Sequence, residues 1–143
     1  MPRRVSLPVR RDPSLTLERA RQRLGGRAAS HGRAGEVVRV GDVVGVILCS
    51  DAKGCDVWIG DDKTKRVRAA DAEPLGATPN AEIAAVAADA LAFARLEEGA
   101  DVSFDHGATG RLVEKCRFGA LVAEPDGRIF AVGFRRIARP KAN

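Results

Sequence analysis

The sequence predicts a mainly β protein with one or two helices, in two β-rich halves joined by a helix. Three observations carry this expectation. Short runs of Val, Ile and Leu broken by Gly- and Asp-bearing turns fill residues 36–77 and 99–140, the pattern of half-buried strands. An Ala-rich stretch with helix start and stop signals separates them at 78–98. The 143 residues suffice for one ordinary domain or two very small ones; with only 4% aromatics, each half would have a thin core.

Residues 1–35 form a basic arm. Residues 1–40 carry ten arginines against Asp12, Glu18 and Glu36, a local charge of +7 that leaves −2 for the rest of the chain. Residues 1–14, rich in Pro and Arg, read as extended or disordered. A short helix then runs from Ser14 or Thr16, either of which can cap it, to Leu24, where Gly25-Gly26 stops it. Leu17 and Leu24 share one face, so this basic helix has a narrow apolar stripe and needs a partner or the body to form fully.

The first β-rich half, 36–77, opens with Val37, Val38, Val40, Gly41-Asp42 and the run Val43–Leu48. Asp51-Ala52-Lys53-Gly54 turns the chain into Cys55–Ile59, and Asp61-Asp62-Lys63 turns it again into Thr64–Arg68. In the linker, Thr78-Pro79 places a cap before a proline at the first helical position, and Gly99 ends a helix expected over 79–97. The second half, 99–140, alternates at Asp101–Phe104, continues through 110–116 and 119–124, turns at Pro125-Asp126-Gly127, and ends on Ile129–Phe134.

The two halves align without gaps at an offset of 65, which places Val37 on Val102, Gly45 on Gly110, Gly54 on Gly119, Val57 on Val122 and Val67 on Val132. Both glycine pairs fall at strand entries, as expected of a duplicated small β-module; a single continuous β-domain with a helical insertion is the alternative. Gly107–Glu114, Ala120–Arg128 and Phe134–Ile137 resemble an SH3-like small barrel of the Tudor or KOW kind, and Gly41–Val46 is similar to a KOW opening. The resemblance implies two small SH3-like β-barrel modules, about 40 residues each, joined by the helix. The first copy departs from it, with Asp61-Asp62-Lys63 in place of the Asp-Gly-Arg turn, and neither copy has the aromatic cage of methyl-ligand-binding Tudor domains.

No catalytic site is expected. Cys116, His106 and Asp105 can be drawn as a constellation, but Cys116 lies in an apolar strand, where thiols are inert. Cys49 and Cys55 are separated by five residues with no second close pair, which does not match zinc spacing. No phosphate-binding glycine loop occurs. The expectation is a non-enzyme with no cofactor and no metal. Three cysteines in apolar segments read as reduced thiols of a cytoplasmic protein. No run of about 18 apolar residues spans a membrane, and Arg3-Arg4 and Arg10-Arg11 precede no apolar signal segment.

Two functions of different classes fit. The favoured one is association with nucleic acid or a ribonucleoprotein or transcription complex. The arm arginines Arg3, Arg4, Arg10, Arg11, Arg19, Arg21, Arg23 and Arg27 would contact phosphates, with Lys63, Lys65, Arg66 and Arg68 on one hairpin and Arg135 and Arg136 near the C-terminus as further clusters. Trp58 and the five Phe read as core, so backbone or shape contacts are expected rather than sequence readout. The alternative is a protein adaptor or structural subunit using barrel edges, the arm helix or the Ala-rich helix, compatible with a homo-oligomer.

Overall fold

The computed structural model describes residues 13–28, 30–105 and 107–140. It contains two helices, α1 (Pro13–Arg23) and α2 (Ala81–Ala94), and ten strands in two antiparallel sheets. The first sheet is built from β1 (Val37–Val40), β2 (Val43–Ser50), β3 (Cys55–Gly60), β4 (Lys63–Val67) and β5 (Glu73–Pro74). The second comprises β6 (Asp101–Phe104), β7 (Ala108–Lys115), β8 (Gly119–Ala123), β9 (Ile129–Gly133) and β10 (Ile137–Ala138). Among the described residues no helix is long and apolar enough to cross a membrane.

Both sheets have the same plan. Four strands meander, one 3₁₀ turn follows (Ala69–Asp71 and Phe134–Arg136), and a two-residue fifth strand returns to pair with the first. The orders are β4-β3-β2-β1-β5 and β9-β8-β7-β6-β10. The offset of 65 reappears in the hydrogen-bond register. Val46 faces Trp58 as Arg111 faces Ala123, and the β-bulge between Ile47 and Cys49 has its counterpart between Leu112 and Glu114. Cys55 faces Val67 as Ala120 faces Val132. A bulge is a specific device that bends a strand and increases its twist, so its recurrence at matching positions is a stronger sign of repetition than the identities.

The matched glycines have a common physical reason. A Cβ on Gly54 would lie 2.3 Å from the Val67 carbonyl oxygen, and one on Gly119 would lie 2.1 Å from that of Val132. Gly45 and Gly110 face the same crowding, at 2.3 Å from the Trp58 oxygen and 2.6 Å from the Ala123 oxygen. Strand-to-strand backbone approach leaves no room for a side chain there. Between β1 and β2, Gly41 takes φ 61°, the positive value that the first position of a two-residue II′ turn requires.

The helices differ in detail from the sequence expectation. Asn80, not Thr78, caps α2: its side-chain oxygen accepts from the Ile83 backbone N–H at 2.9 Å. The helix ends at Ala94, and Lys115 from β7 donates to the Ala94 and Leu96 carbonyls at 2.8 and 3.0 Å. A cation there satisfies carbonyls that the helix end leaves unpaired. Ile83, Val86, Ala90 and Phe93 are buried, whereas Leu91 is exposed. Most of the apolar face of α2 is thus packed inside the molecule, and Leu91 of the expected face remains outward.

α2 lies in a core shared by both sheets. One cluster of buried side chains joins Val46, Leu48 and Trp58 of the first sheet, Val86 and Phe93 of α2, and Leu112, Val122 and Phe134 of the second half. Val38, Ile47, Cys55 and Val57 form a smaller cluster inside the first sheet. Leu24, Cys116 and Leu121 form another, with Leu17 and Ala20 packed against it, which seats α1 on the second sheet. Residues beyond α1 also belong to the body: Ser30 bridges to Ser50, Arg27 bridges to Cys116, and Ala34 is buried.

Gly119→Ala is expected to cost about 1–3 kcal/mol of stability, measured by urea denaturation. Gly76→Ala, with nothing within 4 Å of the added carbon, is expected to stay within about 0.5 kcal/mol of the parent.

Candidate functional site

The buried charges decide which basic residues are free to act. Asp56 sits in β3 between Cys55 and Val57 and is 1% exposed. Arg117, from the turn between β7 and β8, grips it with two donors: Nε to Oδ2 at 2.9 Å and Nη2 to Oδ1. Arg66 Nη1 and the Cys49 thiol each donate to Oδ2 at 3.0 Å. Burial by itself would push the Asp56 carboxyl up. The hydrogen bonds from Arg117 and Cys49 and the charges of Arg117 and Arg66 outweigh it and hold the carboxyl below the ordinary aspartate range. Arg117 also donates to the Gly25 carbonyl at 3.0 Å. One carboxylate thus ties the first sheet to the second and, through Arg117, to the end of α1.

A second clamp lies on the second sheet. Glu114, 7% exposed, accepts from Arg21 Nε at 2.5 Å and Nη2 at 3.1 Å, and Arg27 Nη1 lies 3.1 Å away. The Arg21 hydrogen bonds and the Arg21 and Arg27 charges draw the carboxyl below its usual range against burial. Cys116, beside it, is fully buried; burial, then the Glu114 charge, pushes its thiol up to about 11, which disfavours the thiolate form. Burial pushes the Cys49 thiol up as well. Asp105 pairs with Arg136, and His106 lies outside the described residues. Among the described residues no three His, Cys, Asp or Glu side chains gather as a metal would require.

The structure divides the basic residues expected to bind an anion. Arg3, Arg4, Arg10 and Arg11 lie outside the described residues. Arg21 and Arg27 are taken up by Glu114, and Arg66 by Asp56 and Asp51. Arg68 pairs with Asp71 at 3.2 Å on the surface. The Lys63–Arg68 cluster is split between two faces: Lys65 pairs with Val57 and Arg66 with Asp56, and successive strand residues point to opposite sides. Lys63 and Lys65 are exposed on β4, an outer strand, where lysines also guard against edge-to-edge pairing. Arg19 and Arg23 are exposed on α1 with no carboxylate in salt-bridge range among the described residues.

Three exposed arginines from distant parts of the chain converge. Arg23 of α1 and Arg135 and Arg136 of the second 3₁₀ turn line one groove of about 500 Å³ at the junction of the sheets. Its apolar lining includes Trp58, Phe118 and Phe134, and Asp61 and Asp62 from the β3–β4 turn also line it. Trp58 Nε1 donates to the Asp61 carbonyl at 2.8 Å, which satisfies the buried indole and fixes the turn. Arg135 meets Asp89 at 2.9 Å, and Arg136 meets Asp105 at 2.5 Å. Both pairs are exposed, and such pairs contribute about 0–1 kcal/mol, so an incoming anion can displace them.

Sequence reasoning missed Arg117, Asp56 and Glu114. A signal existed: a lone carboxylate within an apolar strand run, as in Cys55–Ile59, must find donors once buried. Their identity is set by long-range packing. Comparison with protein-family models, curated proteins and solved structures finds no match.

Removing one partner of a buried ion pair leaves the other charge uncompensated, so Asp56→Ala is expected to cost about 3–5 kcal/mol in urea denaturation, against about 0.5 kcal/mol or less for Arg19→Ala. His31 gives a separate pH signature. Its Nδ1 lies 3.0 Å from the Leu48 carbonyl, its Nε2 is buried with no hydrogen-bond partner among the described residues, and its ring meets Phe93 edge-on at 5.2 Å. Burial pushes its pKa below the ordinary 6.5, so the folded state holds it neutral. The unfolded chain then binds a proton that the folded chain rejects, and stability falls as pH drops below 6.5. His31→Gln should abolish this loss. The losses from Asp56 and Glu114, both held below their ordinary values of 3.8 and 4.5, begin only at lower pH. Thermal denaturation across pH checks both.

Proposed function

We propose that the chain is a non-catalytic protein that associates with nucleic acid, alone or in a ribonucleoprotein or transcription complex, and that each sheet with its 3₁₀ turn is an SH3-like barrel module. The shared strand order and the repeated bulge support the duplicated module. One observation carries the functional reading: Arg23 and the distant neighbours Arg135 and Arg136 stand exposed around one groove, which Asp61 and Asp62 also line, on a chain of net charge +5. Much of the remaining positive charge of the body is paired internally: Arg21 and Arg27 with Glu18, Glu98 and Glu114, and Arg66 and Arg117 with Asp51 and Asp56. Outward cations include Arg19 and Arg23 on α1, Arg135 and Arg136 on the groove rim, Lys63 and Lys65 on β4, and the scattered Arg39, Lys53, Arg111 and Arg139; of these, Arg23, Arg135 and Arg136 share one groove. Clustered, exposed cations attract phosphate irrespective of sequence. The raised pKa of Cys116 supports the non-catalytic part of the reading.

A protein-binding role is the second reading. It rests on β9, an outer strand that exposes Phe130 at 36%, with the Arg128 guanidinium 5.5 Å from its ring centroid. An exposed aromatic on a sheet edge suits strand addition by a peptide.

Fluorescence anisotropy of the purified chain against single-stranded RNA, duplex RNA and duplex DNA, titrated across salt, separates the two. The expected result is binding that weakens steeply with salt. Absence of binding to all three at low salt would overturn the nucleic-acid reading, and Phe130→Ala in an affinity pull-down would then test the peptide one.

A further inference from the structure

The groove beneath Arg23, Arg135 and Arg136 has a property that phosphate attraction alone does not require. It is recessed between the two sheets and has an apolar floor. We infer that it seats a single unpaired nucleic-acid strand, with a base against Phe118 and backbone phosphates on the three arginines. This deepens the nucleic-acid reading and rests on it.

The choice of strand follows from what each form presents. A duplex keeps its base faces inside the stack and offers phosphates on a convex surface, which rim arginines can meet but which leaves a recessed apolar floor empty. An unpaired strand offers phosphates and bare base faces together, the combination that single-strand sites use. A volume of about 500 Å³ falls in the range of about 300–1,000 Å³ that encloses one small ligand, and so fits a nucleotide or two rather than a helix.

The aromatic residues divide the work. Trp58 and Phe134 are 4% and 9% exposed and serve as walls. Phe118 is half-buried and lines the groove. It is also held in place: the Arg117 guanidinium lies 5.0 Å from its centroid, its backbone N–H donates to the Leu24 carbonyl at 3.1 Å, and its carbonyl accepts from Phe134 at 3.0 Å. A ring fixed in this way stacks a base with little further loss of freedom. Asp61 and Asp62 repel phosphate and accept hydrogen bonds from base N–H groups, the ring N3–H of uracil and thymine included, so the β3–β4 turn favours the base side of the strand over its backbone.

The test uses the full chain and unstructured oligo-U and oligo-dT probes, beside duplexes of equal length, in salt-titrated anisotropy. Arg23→Gln/Arg135→Gln/Arg136→Gln is expected to weaken single-strand binding at least about ten-fold at low salt and to lower the log–log salt slope by about 2, as loss of three phosphate contacts implies. Phe118→Leu is expected to weaken single-strand binding several-fold with the salt slope unchanged, because stacking carries no counterion release. Urea denaturation confirms that each variant remains folded. Unchanged single-strand affinity in the triple variant, with loss instead in an Arg3, Arg4, Arg10 and Arg11 to Gln variant, would overturn the groove while leaving the nucleic-acid reading standing. Tighter binding of duplex than of single strand would overturn it too. Failure of the parent chain to bind any probe would overturn both.

Discussion

A carboxylate 1% exposed between Cys55 and Val57 cannot remain ionised unless donors surround it, and the rest of the molecule is arranged around supplying them. Arg117 crosses from the second sheet with both a side-on nitrogen and a terminal one, Arg66 arrives from the neighbouring strand, and the Cys49 thiol fills a remaining approach. Hydrophobic contact alone would let two sheets slide over each other at modest cost, since it is non-directional. A bidentate guanidinium–carboxylate pair fixes both distance and angle. Together with the apolar core that both sheets share, this ion pair sets the relative placement of the sheets, puts Phe118 beside Arg117, and ties down the α1 end through Gly25.

The clamp also shows where the two sheets, alike in plan, differ. At the 65-residue offset, Asp56 corresponds to Leu121, Arg66 to Ala131 and Arg117 to Ala52. In the first sheet this face carries charge and meets the hairpin of the second sheet. In the second it is apolar at Leu121 and Ala131, and it meets α1. Equivalent faces therefore have different covers, and a symmetric pair of independent domains becomes one body with a shared core. Glu114 stands where the first copy has Cys49, so both bulges place a group with a proton to share or accept beside a buried thiol or carboxylate.

Much of this was legible in the sequence. Turn residues and alternating Val runs located the strands, and the gapless offset anticipated the register because its glycines sit where backbones touch. The bulges, the short fifth strands Glu73–Pro74 and Ile137–Ala138, and the exchange of Thr78 for Asn80 as cap were not legible, because two-residue strands have no periodicity and several residues near 78–80 can cap. The candidate site was only partly legible. Counting arginines located a basic arm, but whether a given arginine faces solvent or a buried acid depends on pairings such as Arg21 with Glu114, 93 residues away.

That division changes what net charge means for this chain. Arg21, Arg27, Arg66 and Arg117 look like binding residues by composition, yet each is held by a carboxylate on another element. Neutralising them would loosen the fold before it touched any ligand. Arg23, Arg135 and Arg136 are held only by exposed contacts, or by none among the described residues, and they meet at one place. The internal clamps are what make that meeting possible: with α1 pinned at Glu114 and the sheets pinned at Asp56, the backbone positions that carry Arg23, Arg135 and Arg136 are held around one groove. A preorganised set of cations binds an anion without the ordering cost that a disordered tail must meet. The same number of arginines spread along a tail would attract phosphate but could not shape what it attracts.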